Sequence, residues 1–121
     1  MNSLKYITIP NFASEDGKIT IDVKLSYQLF GQELYSAPVV LINHALTGNS
    51  DVAGENGWWK SIVGDSKLID TKKYTVLAFD IPGNGYKTTE ILFEYDAFSA
   101  RDIANLFGLA VQQLEISSLY A

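Results

Sequence analysis

The sequence predicts an α/β fold in which antiparallel first strands lead into a mostly parallel sheet, and three patterns predict it. Residues 18–30 alternate apolar and polar side chains. Residues 39–42 and 76–79 are unbroken apolar runs, and residues 99–115 carry an apolar stripe at helical spacing. Alternation marks a strand with one buried face, an unbroken run marks a strand covered on both faces, and a 3.6-residue repeat marks an amphipathic helix.

Residues 4–9 read as the first strand, ended by Pro10-Asn11. In residues 18–30, Ile19, Ile21, Val23, Leu25, Tyr27 and Leu29 share one face, and Thr20, Asp22, Lys24, Ser26 and Gln28 share the other. The turn at Asp16-Gly17 makes this strand antiparallel to the first. Gly31 stops it, and residues 31–38 form a polar connection ending in Pro38. Val39-Val40-Leu41-Ile42 and Val76-Leu77-Ala78-Phe79 are the two buried strands, with about thirty residues between them. Gly57-Trp58-Trp59-Lys60-Ser61-Ile62-Val63 is expected to be a short helix in that crossover, which makes a βαβ unit of adjacent parallel strands. In residues 99–115 the stripe is Ile103, Leu106, Phe107, Ala110, Val111 and Leu114, and Ser99 with Asp102 forms a capping box before it. Residues 116–121 read as the opening of a further strand. A sheet ending there leaves an edge and a helix face uncovered, so the expectation is a partial domain over residues 1–121. Residues 1–38 would supply antiparallel strands and residues 39–121 a βαβα unit.

Composition narrows the function classes. The chain has 121 residues, room for one domain, and is 47% hydrophobic, too apolar for disorder. A net charge of -5, with the nine basic residues scattered, argues against nucleic acid or an anionic membrane surface as partner. With no Cys there is neither a disulfide framework nor a thiolate metal site nor a Cys nucleophile. The first residues lack a signal-peptide pattern and no apolar run reaches the roughly 18 residues that span a bilayer, so the expectation is a cytoplasmic protein with no membrane partner.

The chemistry gathers after the first buried strand, in Asn43-His44-Ala45-Leu46-Thr47-Gly48. Where a parallel strand leaves its sheet, backbone N–H groups can be aimed at a ligand. His44-Ala45-Leu46-Thr47-Gly48 resembles the HALTG signature of the homoserine O-acetyltransferase family, within the α/β-hydrolase superfamily. Further stretches follow in the family's order: Val52-Ala53-Gly54 with Trp58-Trp59, then Leu68 to Val76 leading into the next strand, then Ala100-Arg101-Asp102-Ile103 opening the long helix. The likeness runs from about residue 39 to the end. It implies the amino-terminal half of an α/β-hydrolase fold, truncated before the nucleophile elbow.

By that resemblance Leu46 gives a backbone N–H to the oxyanion hole, while Asn43, His44, Ala45, Thr47 and Gly48 bind substrate or position the loop. The family's serine, acid and base are not in this chain: no Gly-x-Ser-x-Gly occurs, and Gly48-Asn49-Ser50-Asp51-Val52 fails at its last position. The implied reaction moves an acyl group from acetyl-CoA, a co-substrate rather than a bound cofactor, to that serine and on to homoserine or a similar amino acid, in methionine biosynthesis. Acyl-CoA and homoserine are then the small-molecule partners, with a homodimer open for the full-length protein. Where the family has Asn-x-x-Gly-Gly after the second buried strand, this chain has Asp80-Ile81-Pro82-Gly83-Asn84-Gly85, closer to the D-x-P-G-x-G loop of general α/β-hydrolases. An esterase giving the acyl group to water is therefore the alternative, and a non-catalytic domain pairing through its sheet edge is a third reading.

Each residue also has a plainer role. His44, the only His, is read as positioning the loop rather than as a base, because no Ser sits on an elbow near it. Thr47 and Gly48 either form a turn or touch substrate. Trp58 and Trp59 are expected in the core rather than as a binding platform, and Asp80 as a turn-former. Asp51 and Glu55 lack further ligands for a metal. Gly83-Asn84-Gly85 lacks the third glycine of a dinucleotide fingerprint, since residue 88 is Thr.

Overall fold

Alternating side chains in the first two segments build a hairpin. A computed structural model describes residues 4–87 and 98–121. In it β1 (Lys5–Ala13) pairs antiparallel with β2 (Thr20–Gly31), Ile7 opposite Leu25. β1 does not end at Pro10-Asn11 as expected. It continues through a bulge, in which Ile9 still faces Val23 and Phe12 already faces Ile21. Asn11 takes a left-handed φ of 51°, a conformation Asn tolerates, and its N–H donates to the Asp22 carboxylate at 2.8 Å. The extra residue resets the side-chain phase, so that Ile9 and Phe12 are both buried although three positions apart.

The second half of β2 pairs antiparallel with β6 (Thr75–Phe79), and β3 (Val39–Leu41) pairs parallel with β6 on its other side. The sheet is therefore mixed, in the order β1-β2-β6-β3. All five residues of β6 are buried, as its unbroken apolar run predicts. Leu77 and Phe79 face one core, closed by the helix, and Val76 and Ala78 face a second, closed by the crossover. That second core explains where the alternation of β2 breaks down. Phe30 and Gln28 lie on its polar face yet are buried, because the crossover covers that end of the sheet. Gly31 ends the strand at φ 82°, and a Cβ there would lie 2.5 Å from the Tyr74 carbonyl oxygen.

The crossover holds no helix at residues 57–63. It is a series of turns with a two-stranded parallel pair, β4 (Val63–Gly64) and β5 (Ile69–Asp70). The physical reason is competition for backbone groups. Trp58 and Trp59 donate back to the carbonyls of Asp51 and Val52, and Ile69 donates to Ile62, so the bonds inside the segment, from Ile62 and Val63 to the Trp59 carbonyl, close turns without extending into a helix. Trp58 and Trp59 are accordingly not core residues. They stack on each other with centroids 5.3 Å apart, remain 41% and 39% exposed, and Trp58 Nε1 donates to the Asn49 carbonyl.

Helix α1 (Ala100–Gln113) carries the predicted capping box: Ser99 Oγ accepts from the Asp102 N–H, and the Asp102 carboxylate accepts from the Ser99 N–H. Its stripe buries Leu106, Phe107 and Ala110, with Ile103, Val111 and Leu114 at the margin, and Phe107 stacks on Phe79 with centroids 5.0 Å apart. Beyond the helix, Tyr120 donates to the Val39 carbonyl and Leu41 donates to that of Ala121. The last residues thus run alongside β3, on the edge away from β6.

Candidate functional site

The loop 43–48 leaves the sheet at the carboxyl end of β3 and closes as a turn, with the Gly48 N–H donating to the Ala45 carbonyl at 2.8 Å. Leu46 and Thr47 are the central residues of that turn, and both are exposed, Leu46 by 85%. Neither of their N–H groups donates to an acceptor among the described residues. Gly48 suits the end of the turn, where a Cβ would press on the His44 side chain at 3.0 Å. The turn-forming role of Gly48 is thus present. Asn43 and Ala45 are exposed, so the loop offers solvent a strip of backbone and small side chains.

His44 is the buried member of the loop, 7% exposed. Its Nε2 accepts the Ile81 N–H at 2.9 Å, which places the ring proton on Nδ1, 2.6 Å from the Ala45 carbonyl. Both nitrogens are therefore occupied, and the ring ties the loop to the segment following β6.

Beneath the loop lies a polar cluster that the sequence reading missed. Asp80, 2% exposed, accepts from Ser50 N–H at 2.7 Å, Ser50 Oγ at 2.8 Å, Ser26 Oγ at 2.7 Å and Asn84 Nδ2 at 3.0 Å. Gln28 Nε2 donates to Ser50 Oγ at 2.9 Å. Asp80 is thus the hub of a buried network, more than a turn-former. Two signals pointed there. An aspartate directly follows an unbroken apolar run, and Phe30 on the polar face of β2 implies that Gln28 and Ser26 on that face need buried partners.

The remaining candidates do not converge. The Asp51 carboxylate accepts from the Gly54 N–H, and among the described residues no group of three or more His, Cys, Asp or Glu side chains could hold a metal ion. Thr88, the residue in place of a third glycine, lies outside the described residues. No helix among the described residues is long and apolar enough to cross a membrane.

Comparison with known proteins agrees with this geometry. Residues 38–121 match the model of the alpha/beta hydrolase fold family. A homoserine O-acetyltransferase of Methanosarcina acetivorans is 27% identical over 139 aligned positions, covering 100% of this chain and 26% of the relative, so the chain spans about a quarter of that protein. Esterase E22 superposes with a TM-score of 0.83 at 27% identity, over 100% of this chain and 40% of its own. The homoserine O-acetyltransferase of Staphylococcus aureus superposes with a TM-score of 0.80 at 24% identity, over 98% of this chain and 37% of its own, which is a likeness of fold. The parallel pairing of β3 with β6, the loop at the end of β3 and the matched span lead to one assignment: the chain belongs to the alpha/beta hydrolase fold family.

Proposed function

We propose that the full-length protein is an acyltransferase similar to the homoserine O-acetyltransferases, moving an acyl group from acyl-CoA through a serine acyl-enzyme to the hydroxyl of homoserine or a similar amino acid. This chain supplies the oxyanion loop. The observation that carries the reading is the turn 45–48, whose central N–H groups meet no protein acceptor among the described residues at the carboxyl end of β3. Acyl transfer concentrates charge on one oxygen of a tetrahedral intermediate, and a rigid N–H aimed at that oxygen lowers the barrier. In this family the second donor and the nucleophile follow the next strand. Residues 120–121 already run beside β3 in its direction, so a strand continuing from them would end next to Leu46. The test is discharge of the acyl-enzyme. Full-length protein incubated with acetyl-CoA and homoserine should accumulate O-acetylhomoserine by mass spectrometry, and acetate formation indifferent to homoserine would defeat the reading.

The second reading, an esterase with water as acceptor, rests on the loop Asp80-Ile81-Pro82-Gly83-Asn84-Gly85 and on the likeness to esterase E22. The same experiment separates the two.

A further inference from the structure

We infer that Asp80 is a positioning residue for the oxyanion loop, clamping it through Ser50 just beyond it while Asn84 and His44 hold its end and its start. The inference rests on the function proposed for that loop.

A carboxylate buried without a counter-ion is costly, and it persists only where hydrogen bonds compensate it. The only ion pair among the described residues is Arg101 with Glu15, elsewhere in the structure. Asp80 instead gathers four donors, two on each oxygen. An ionised carboxylate only accepts, so every group facing it must point its proton inward. Gln28 completes the ordering: by donating to Ser50 Oγ it leaves that hydroxyl's own proton to Asp80. The Ser50 backbone is thereby fixed in orientation as well as place.

Three attachments then join the loop to the segment after β6. His44 Nε2 accepts from Ile81 N–H, Gly48 O accepts from Asn84 Nδ2 at 3.4 Å, and Ser50 donates twice to Asp80. The turn bearing Leu46 hangs between these points. Asp80 and Asn84 are also the two positions at which this loop departs from the Asn-x-x-Gly-Gly pattern, and a glycine at 84 would have no amide to reach Gly48.

The experiment uses the full-length protein and p-nitrophenyl acetate, which reports acylation whatever the later acceptor. Rates are normalised to the fraction of enzyme that can be acylated. Asp80→Ala should lower the acylation kcat about 10- to 100-fold, since displacement of a reacting group by about 1 Å costs up to that much. KM should stay within about threefold, because the lost contact acts on the transition state. Asp80→Asn should recover most of the loss, as its amide oxygen still accepts from the Ser50 N–H and the serine hydroxyls can turn. Should Asp80→Ala fail to fold, the partly exposed Asn84→Ala carries the test, with an expected fall of about three- to tenfold. A lower melting temperature with an unchanged normalised rate would show a merely structural role and overturn the clamp, as would no recovery in Asp80→Asn. A wild-type protein that never acylates overturns the proposed function itself, and the clamp with it.

Discussion

A ring nitrogen that accepts a hydrogen bond has no lone pair left for a serine proton, and this sets the chemistry of the chain's one histidine. His44→Ala would strand the Ile81 N–H, which its Nε2 accepts at 2.9 Å. An unpaired buried donor costs about 1–3 kcal/mol and Ile81 is half-buried, so urea unfolding should show a loss at the lower end of that range. Turnover of the full-length variant should fall less than on removal of the nucleophile. Leu46 poses the complementary case. Its side chain is 85% exposed, and only its N–H is of interest. Leu46→Met should keep most activity, whereas Leu46→Pro, lacking the donor, should cost about 10²–10³ in kcat. Circular dichroism and a melting curve must accompany the kinetics, and a folded Pro variant with normal turnover would remove Leu46 from the oxyanion hole.

Among the elements, α1 shows how a helix end can lock a sheet. The Asp102 carboxylate accepts from the Ser99 N–H within its own cap and from the Glu15 N–H in the β1–β2 turn at 2.7 Å. The Ser99 bond, aided by that of Glu15 and opposed by burial, holds the Asp102 carboxyl below its ordinary value of 3.8. A carboxyl lowered in the folded state stabilises above its unfolded value and loses that contribution as pH falls through the lower folded one. Stability should therefore drop on acidification below about pH 4, and Asp102→Asn should flatten that limb in melts recorded from pH 5 to 2. Ser99→Ala should cost about 1 kcal/mol at neutral pH, as for a lost N-cap. This capping box was legible because its two residues are local in sequence. The bulge at Pro10-Asn11 was not, because it depends on Asp22 in the partner strand.

For the whole molecule, what could be read ahead of the structure divides in the same way. β2, β3, β6 and α1 each carry their own periodicity, and they lie where that periodicity puts them. The crossover does not: the carbonyls of Asp51 and Val52, not local spacing, decide the path of Trp58 and Trp59. The Asp80 network was hidden for a related reason, since its members at 26, 28, 50, 80 and 84 meet only once the sheet is assembled. The nucleophile elbow sought in the sequence is absent from these 121 residues. The chain alone should thus give no acetyl adduct on intact-mass analysis after exposure to acetyl-CoA, and a stoichiometric adduct on any serine would show that the nucleophile had been misplaced.

β6 lies between β2 and β3 although it follows both in the chain. During synthesis, β1 and β2 can zip together as soon as residue 31 has emerged, a local event on the microsecond scale. β3 has no such opportunity. Its hydrogen-bonding partners stand more than thirty positions downstream, so it must wait as an apolar segment with open edges until residues 75–79 arrive and slot in. Closing so long a loop costs entropy before any pairing repays it, which makes insertion of the central strand the slow step. Pulse-labelling hydrogen exchange during refolding should accordingly protect the Leu25 amide before that of Ile42, which donates to the Leu77 carbonyl. Simultaneous protection would mean that hairpin and central strand form as one unit.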